Sequence, residues 1–151
     1  MWPELICPEE AQPLARSSVE LACARGHRWR ITGDIPRMAP GGGQLLWRLR
    51  WQWKKYRRTQ LDSYTGTTLS RDRARRCLGE CCWSLLQRAE RVDILEVGCG
   101  AGRFTEILLS TRACVTVDMS AAVEANQENL PQTDRHRIVQ ADAVRLPFAP
   151  R

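Results

Sequence analysis

The clearest pattern of apolar and polar positions lies in the last third of the chain. Val92-Asp93-Ile94-Leu95-Glu96-Val97 is a short apolar run of the kind that forms a buried strand. A glycine turn, Gly98-Cys99-Gly100-Ala101-Gly102, follows it, and a helix is predicted from about Arg103 to Ser110. Ala113-Cys114-Val115-Thr116-Val117-Asp118 reads as a second, β-branched strand. Ser120 can cap a helix running to about Leu130, with Pro131 beyond its end. His136-Arg137-Ile138-Val139-Gln140-Ala141-Asp142 is the third strand. Strand, helix, strand, helix, strand implies right-handed βαβ units and a parallel sheet, an α/β fold.

The front of the chain is patterned differently. Residues 5–38 are turn-rich and carry cysteine, punctuated by Pro8, Pro13, Gly26, Gly33 and Pro36. Residues 39–46 contain three consecutive glycines, a flexible joint. Further on, Ser70 is placed to cap a helix reaching about Arg91. Ala74, Cys77, Leu78, Cys81, Leu85 and Ala89 fall near helical spacing, and Gly79 weakens that helix without ending it.

Composition narrows the classes. Hydrophobic residues are 43% and charged residues 26% of the 151, which excludes wholesale disorder. No apolar run approaches the roughly 20 residues a membrane helix needs, and the N-terminus lacks the basic and apolar regions of a secretory signal. Seven cysteines, an odd number, fit reduced thiols in a cytoplasmic protein better than a disulfide framework. The charge of +6 is uneven: residues 1–90 carry sixteen basic against nine acidic side chains, and residues 91–151 seven against eight. A basic front joined to a near-neutral back suggests modules with different surfaces.

The chemistry concentrates at the glycine turn. Alternate glycines after a strand let the backbone turn sharply and approach a ligand, and the helix start beyond them favours an anionic group. A dinucleotide GxGxxG fingerprint would need glycine at Arg103, which disfavours a nicotinamide oxidoreductase. Glu96, Asp118 and Asp142 stand at three successive strand ends, where ligands bind in open parallel sheets. A carboxylate at Asp118 can accept hydrogen bonds from both hydroxyls of a ribose.

Together, LEVGCGAGRFTEILL, VTVDMS and VQADAVRLPF resemble the first three motifs of class I S-adenosylmethionine-dependent methyltransferases. The resemblance implies a Rossmann-like sheet of which this chain supplies the N-terminal half, with strand order 3-2-1. It implies S-adenosylmethionine as cofactor, with Gly98, Cys99, Gly100 and Gly102 around its methionine part and Glu96 supporting its ammonium group. Asp118 would hold the ribose hydroxyls, Met119 would pack on the adenine, and Asp142 with Ala143 would read the adenine edge. The catalytic base stays unassigned, because family catalytic residues usually follow later strands. Upstream, RTQLDSYTGTTLSRDRARRCLG resembles the lead-in of bacterial methyltransferases, so Gln60, Asp62 and Thr67 are further candidates to roof the pocket. The alternative for them is a linker and a packing helix.

Residues 1–38 resemble the N-terminal zinc ribbon of certain methyltransferases, including ribosomal RNA guanine methyltransferases. Cys7, Cys23 and His27 keep the pattern, and Glu10 stands where a cysteine is expected. With one thiolate lost, the expectation is a small hairpin unit without zinc, Cys7, Glu10, Cys23 and His27 being weak candidate ligands. Residues 47–58 hold six basic residues and no acid. They could neutralise phosphates and stack on bases. Alternating Trp47, Leu49, Trp51 and Trp53 also describe an extended segment with one buried face, and that packing role is the favoured one.

The expected organisation is therefore a ribbon-like segment (1–38), a linker with the basic aromatic stretch and lead-in helix (39–91), and a partial cofactor-binding domain (92–151). The expected function is a methyltransferase, the chain itself being a fragment and inactive alone, acting on a small-molecule acceptor. The alternatives are a non-catalytic RNA-binding module or an rRNA methyltransferase relative.

Overall fold

The computed structural model describes residues 3–40, 51–88 and 93–150. It contains two sheets. The first is antiparallel, in the order β1 (Leu14–Arg16), β2 (Glu20–Cys23), β3 (Arg28–Thr32) and β4 (Ile35–Pro36). The second has β5 (Ile94–Val97), β6 (Cys114–Asp118) and β7 (His136–Gln140), ordered β5-β6-β7 and paired in parallel. Between and around them lie α1 (Asp62–Thr65), α2 (Leu69–Arg88), α3 (Thr105–Leu109) and α4 (Ala122–Asn129), and residues 51–56 are also helical. Among the described residues no helix is long and apolar enough to cross a membrane.

The parallel sheet has two unlike faces because side chains alternate along each strand. Ile94 and Cys114 face the helices, packing with Leu86 of α2 and Leu108 of α3. Ile138 packs with Val123 of α4 and with Ile35. The opposite face, formed by Val117 and Val139, is covered by the antiparallel ribbon through Leu21, Met38, Trp29 and Ile31. Backbone bonds strengthen this union: Met38 N–H donates to Gln140 O (2.7 Å) and Ile6 N–H to Pro147 O (3.0 Å). The ribbon and the parallel sheet thus share one hydrophobic cluster. Its coverage stops short of β5, where Leu95 and Val97 remain 43% and 45% exposed.

Three sequence expectations need correction. Gly79 breaks α2 outright, with φ 72° and ψ 163°, and the Arg75–Glu80 ion pair (2.8 Å) spans the break. The expected apolar stripe is disrupted with it: Cys77, Leu78, Cys81 and Leu85 are exposed, and only Ser70, Ala74 and Leu86 are buried. Ala89 lies outside the described residues. Ser70 is not the N-cap, since the helix already begins at Leu69. Asp62 does the capping instead, its carboxylate accepting the N–H groups of Ser70 and Arg71, both at 2.9 Å. Finally, Trp51 and Trp53 lie on a helix rather than an extended strand. At i and i+2 of a helix they face roughly opposite ways. Trp51 points out, 62% exposed, and Trp53 is half-buried. Trp47 and Leu49 lie outside the described residues.

Candidate functional site

The glycine turn is held at the end of β6 by backbone bonds, the N–H groups of Gly98 (2.8 Å) and Cys99 (3.0 Å) both donating to Val117 O. Gly98 has φ +78°, and a Cβ there would project into open space, so the turn is open on that side. Gly102 answers to packing: at φ +100°, a Cβ on it would lie 2.8 Å from Leu130 Cδ1. One glycine therefore leaves room at the surface of the turn, and the other lets α4 approach from behind.

Asp118 closes the arrangement. Its Oδ2 accepts the Gly100 N–H at 2.9 Å, and Oδ1 accepts the Ser120 N–H (2.8 Å) and hydroxyl (2.7 Å). Ser120 Oγ in turn accepts the Ala122 N–H at 3.1 Å, fixing the first turn of α4. A carboxylate has about four acceptor positions, so Asp118 retains capacity for a further donor.

Glu96 is half-buried behind the turn, accepting a 2.6 Å hydrogen bond from Thr105 Oγ1. Burial pushes its carboxyl up to about 7; the Thr105 bond opposes the shift and the charge of Asp118 adds to it. Thr105 is itself fully buried and accepts from Asn126 Nδ2 at 3.1 Å. Cys99 is buried, and burial next to Glu96 and Asp118 drives its thiol far up, leaving it a neutral packing group.

The third strand end adjoins the second: Ala141 N–H donates to Asp118 O at 3.1 Å. Asp142 Oδ1 accepts the Val144 N–H (2.9 Å), closing a turn in which Ala143 is exposed. Met119 is 39% exposed beside Asp118. Hence Glu96, the glycine turn, Asp118, Met119, Asp142 and Ala143 all lie at the carboxyl ends of three adjacent strands. The lead-in residues divide otherwise. Asp62 spends its side chain on α2, while Gln60 offers its backbone oxygen to Ser70 Oγ (2.7 Å), which accepts from Arg103 Nε (3.2 Å). Thr67 is exposed and bonded to Thr65 Oγ1.

Sequence reasoning missed Trp53, which sits directly on Gly100, and the pair Asn126 and Asn129, which bind Thr105 and Ala101 O. No local pattern marks these contacts, because each joins segments far apart in the chain. A cavity of about 390 Å³ lies away from the turn, between the N-terminal segment and the β6–β7 face.

In the ribbon, Cys7 Sγ, Cys23 Sγ and His27 Nδ1 all lie within 4.8 Å of one another. Burial raises the Cys7 thiol, although the N–H groups of Glu9 and Glu10 turn toward its sulfur. Burial also opposes ionisation of Cys23, but hydrogen bonds from His27 and the backbone outweigh it and bring that thiol down to about 7. Two thiols and one imidazole are a partial zinc set. The fourth candidate does not join them: Glu10 Oε2 lies 3.8 Å from Arg25 Nε.

No curated protein matches the chain. Residues 95–151, which begin in β5 and take in the glycine turn and all three strand ends, match the family model described as a methyltransferase domain.

Proposed function

We propose that the protein is an S-adenosylmethionine-dependent methyltransferase whose cofactor lies across the carboxyl ends of β5, β6 and β7. The observation that carries this reading is the joined pair of Asp118 and the glycine turn within the matched segment. The sheet order β5-β6-β7 agrees with the first half of a Rossmann-like sheet ordered 3-2-1. The open side of Gly98 suits close approach of an amino-acid moiety, and Glu96 would answer its ammonium group. Asp118 retains acceptor capacity for ribose hydroxyls, and Met119, Asp142 and Ala143 would flank the adenine. When bound, the cofactor supplies an electrophilic sulfonium methyl group, and alignment with the acceptor would do most of the catalytic work. The acceptor we favour is a small molecule.

A second reading is supported by the outer side of helical residues 51–56. Lys55 Nζ lies 4.8 Å from the Trp51 ring and 5.3 Å from Tyr56, and Arg58 lies 4.6 Å from the Tyr64 ring. Exposed cation–aromatic pairs of this kind suit single-stranded RNA. Titrating the chain with S-adenosylhomocysteine by calorimetry, and with a short single-stranded RNA at two salt concentrations, separates the readings. Cofactor binding lost in Asp118→Ala supports the first. RNA binding that collapses with salt, with no nucleoside binding, would replace it with the second.

A further inference from the structure

The basic aromatic segment reaches the glycine turn through one side chain. A Cβ built on Gly100 would lie 3.2 Å from Trp53 Cη2 and 3.6–3.7 Å from its neighbouring ring atoms, so the six-membered edge of the indole rests on that glycine. The seat is secured just beyond it. Asn129 Nδ2 donates to both Arg57 O and Ala101 O at 2.8 Å, and Arg57 pairs with Glu128 at 3.0 Å. A single asparagine thereby ties the segment carrying Trp53 to the backbone of the turn.

The polar groups around this contact are incompletely matched. Trp53 Nε1 is shielded from solvent and has no hydrogen-bond partner among the described residues, and the same holds for Asn126 Oδ1 and Asn129 Oδ1. Asn126 Oδ1 would be 3.4 Å from a Cβ on Gly102, and Asn129 bonds to Ala101, so all three border one turn. Folded proteins seldom leave buried donors unpaired, since each forfeits its hydration without return. An indole N–H is a donor only and needs an acceptor brought to it.

We propose that Trp53 is a cofactor-binding residue: its ring closes the glycine turn over the amino-acid end of the nucleoside cofactor, and its indole N–H donates to the carboxylate there. This rests on the cofactor reading above and adds a residue outside the matched segment. It also gives the 51–58 segment a divided role. Trp53 faces the cofactor, while Trp51 and Lys55 face outward.

The indole resonances of the ¹⁵N-labelled chain provide the test, with S-adenosylhomocysteine as the titrant and Trp53→Phe identifying the Trp53 signal. The Trp53 indole N–H should shift together with the Gly98 and Gly100 amides as the nucleoside is added. Trp53→Phe keeps a ring over Gly100 but loses the donor, and it should weaken binding about fivefold; Trp53→Ala should weaken it further. Glycine amides that shift while the Trp53 indole stays fixed would overturn the inference and leave the cofactor reading standing. Tighter binding by Trp53→Ala would also overturn it, by showing that the ring obstructs the site. If no resonance moves at any concentration, the cofactor reading falls and the inference with it. Should Trp53→Ala fail to fold, the wild-type titration and Trp53→Phe decide the matter.

Discussion

Asp118 Oδ2 and the Gly100 amide, 2.9 Å apart, join the end of one parallel strand to the turn that follows its neighbour. The contact costs the aspartate one of its acceptor positions and gives the turn a fixed shape before any ligand arrives. With Ser120 on the other oxygen, three donors hold a single carboxylate. Asp118→Ala should therefore act twice. It should lower stability by about 1–3 kcal/mol through lost charge-assisted bonds, and weaken S-adenosylhomocysteine binding by roughly 1.5–3 kcal/mol. Denaturant titration and calorimetry measure the two effects; equal affinity in wild type and variant would remove Asp118 from the site.

Glu96 predicts a pH dependence. Its folded-state value of about 7 lies above the ordinary 4.5, so the native state holds a proton that the unfolded chain releases between those values. Its contribution to stability is full below about 4.5 and is lost as pH rises through 7. Buried His136 has the opposite sign: burial lowers its pKa, so its contribution is present above about 6.5 and is lost as pH falls through the lowered value. Comparing wild type with Glu96→Gln isolates the glutamate. The variant should melt higher at pH 8 and at a similar temperature near pH 4.5. Ligand affinity should show the reverse trend, because only ionised Glu96 attracts an ammonium group. Binding should strengthen from pH 6 to 8 with proton release, and Glu96→Gln should flatten that slope. A wild-type slope unchanged in the variant would assign the titration elsewhere.

The ribbon predicts a metal result that a single substitution should reverse. Cys7, Cys23 and His27 converge, and the Glu9 and Glu10 N–H groups already turn toward the Cys7 sulfur. The residue at position 10 therefore decides whether a four-ligand set exists. Elemental analysis should find well under about one zinc per wild-type chain, and close to about one in Glu10→Cys. Stoichiometric zinc in the wild type, lost in Cys23→Ser, would show that three protein ligands suffice. Either way the ribbon should keep its fold without metal, since Leu21 and Met38 anchor it to Val117 and Val139.

What could be read from the sequence follows the range of the interactions involved. The runs at Ile94, Cys114 and His136 became strands because their apolar and β-branched residues act locally, and the parallel order needs only short connections. The glycine turn and the strand-end acids were legible for the same reason. Gly79 breaks the helix although the cost of a glycine inside one is small, about 1 kcal/mol. Nothing in the sequence reveals that the chain there adopts a left-handed φ. Trp51 and Trp53 misled because alternation over four residues fits a strand, while the helix that forms places one outward and one on Gly100. The docking of the ribbon on β7 through Met38 and Gln140, about 100 residues apart, left no mark in local pattern.

β5 pairs with β6 alone among the described strands. Leu95 and Val97 are exposed on the face that the ribbon leaves uncovered, beside a strand edge with which no other described strand pairs. An apolar edge strand of this kind recruits a second chain. The 151-residue protein should therefore self-associate with rising concentration, as sedimentation velocity would show. Leu95→Glu combined with Val97→Thr should shift the protein toward monomer at little cost in stability, because neither side chain is buried. Ile94→Lys should act differently. Ile94 is half-buried, faces the helices and packs with Leu86, Leu108 and Cys114, so an ammonium group there would intrude on an apolar cluster. That variant should lose cooperative unfolding rather than simply dissociate. A wild type that stays monomeric at the highest attainable concentration would show that the β5 edge is shielded in solution. Equal effects of the Leu95–Val97 pair and Ile94→Lys would overturn the assignment of the two faces.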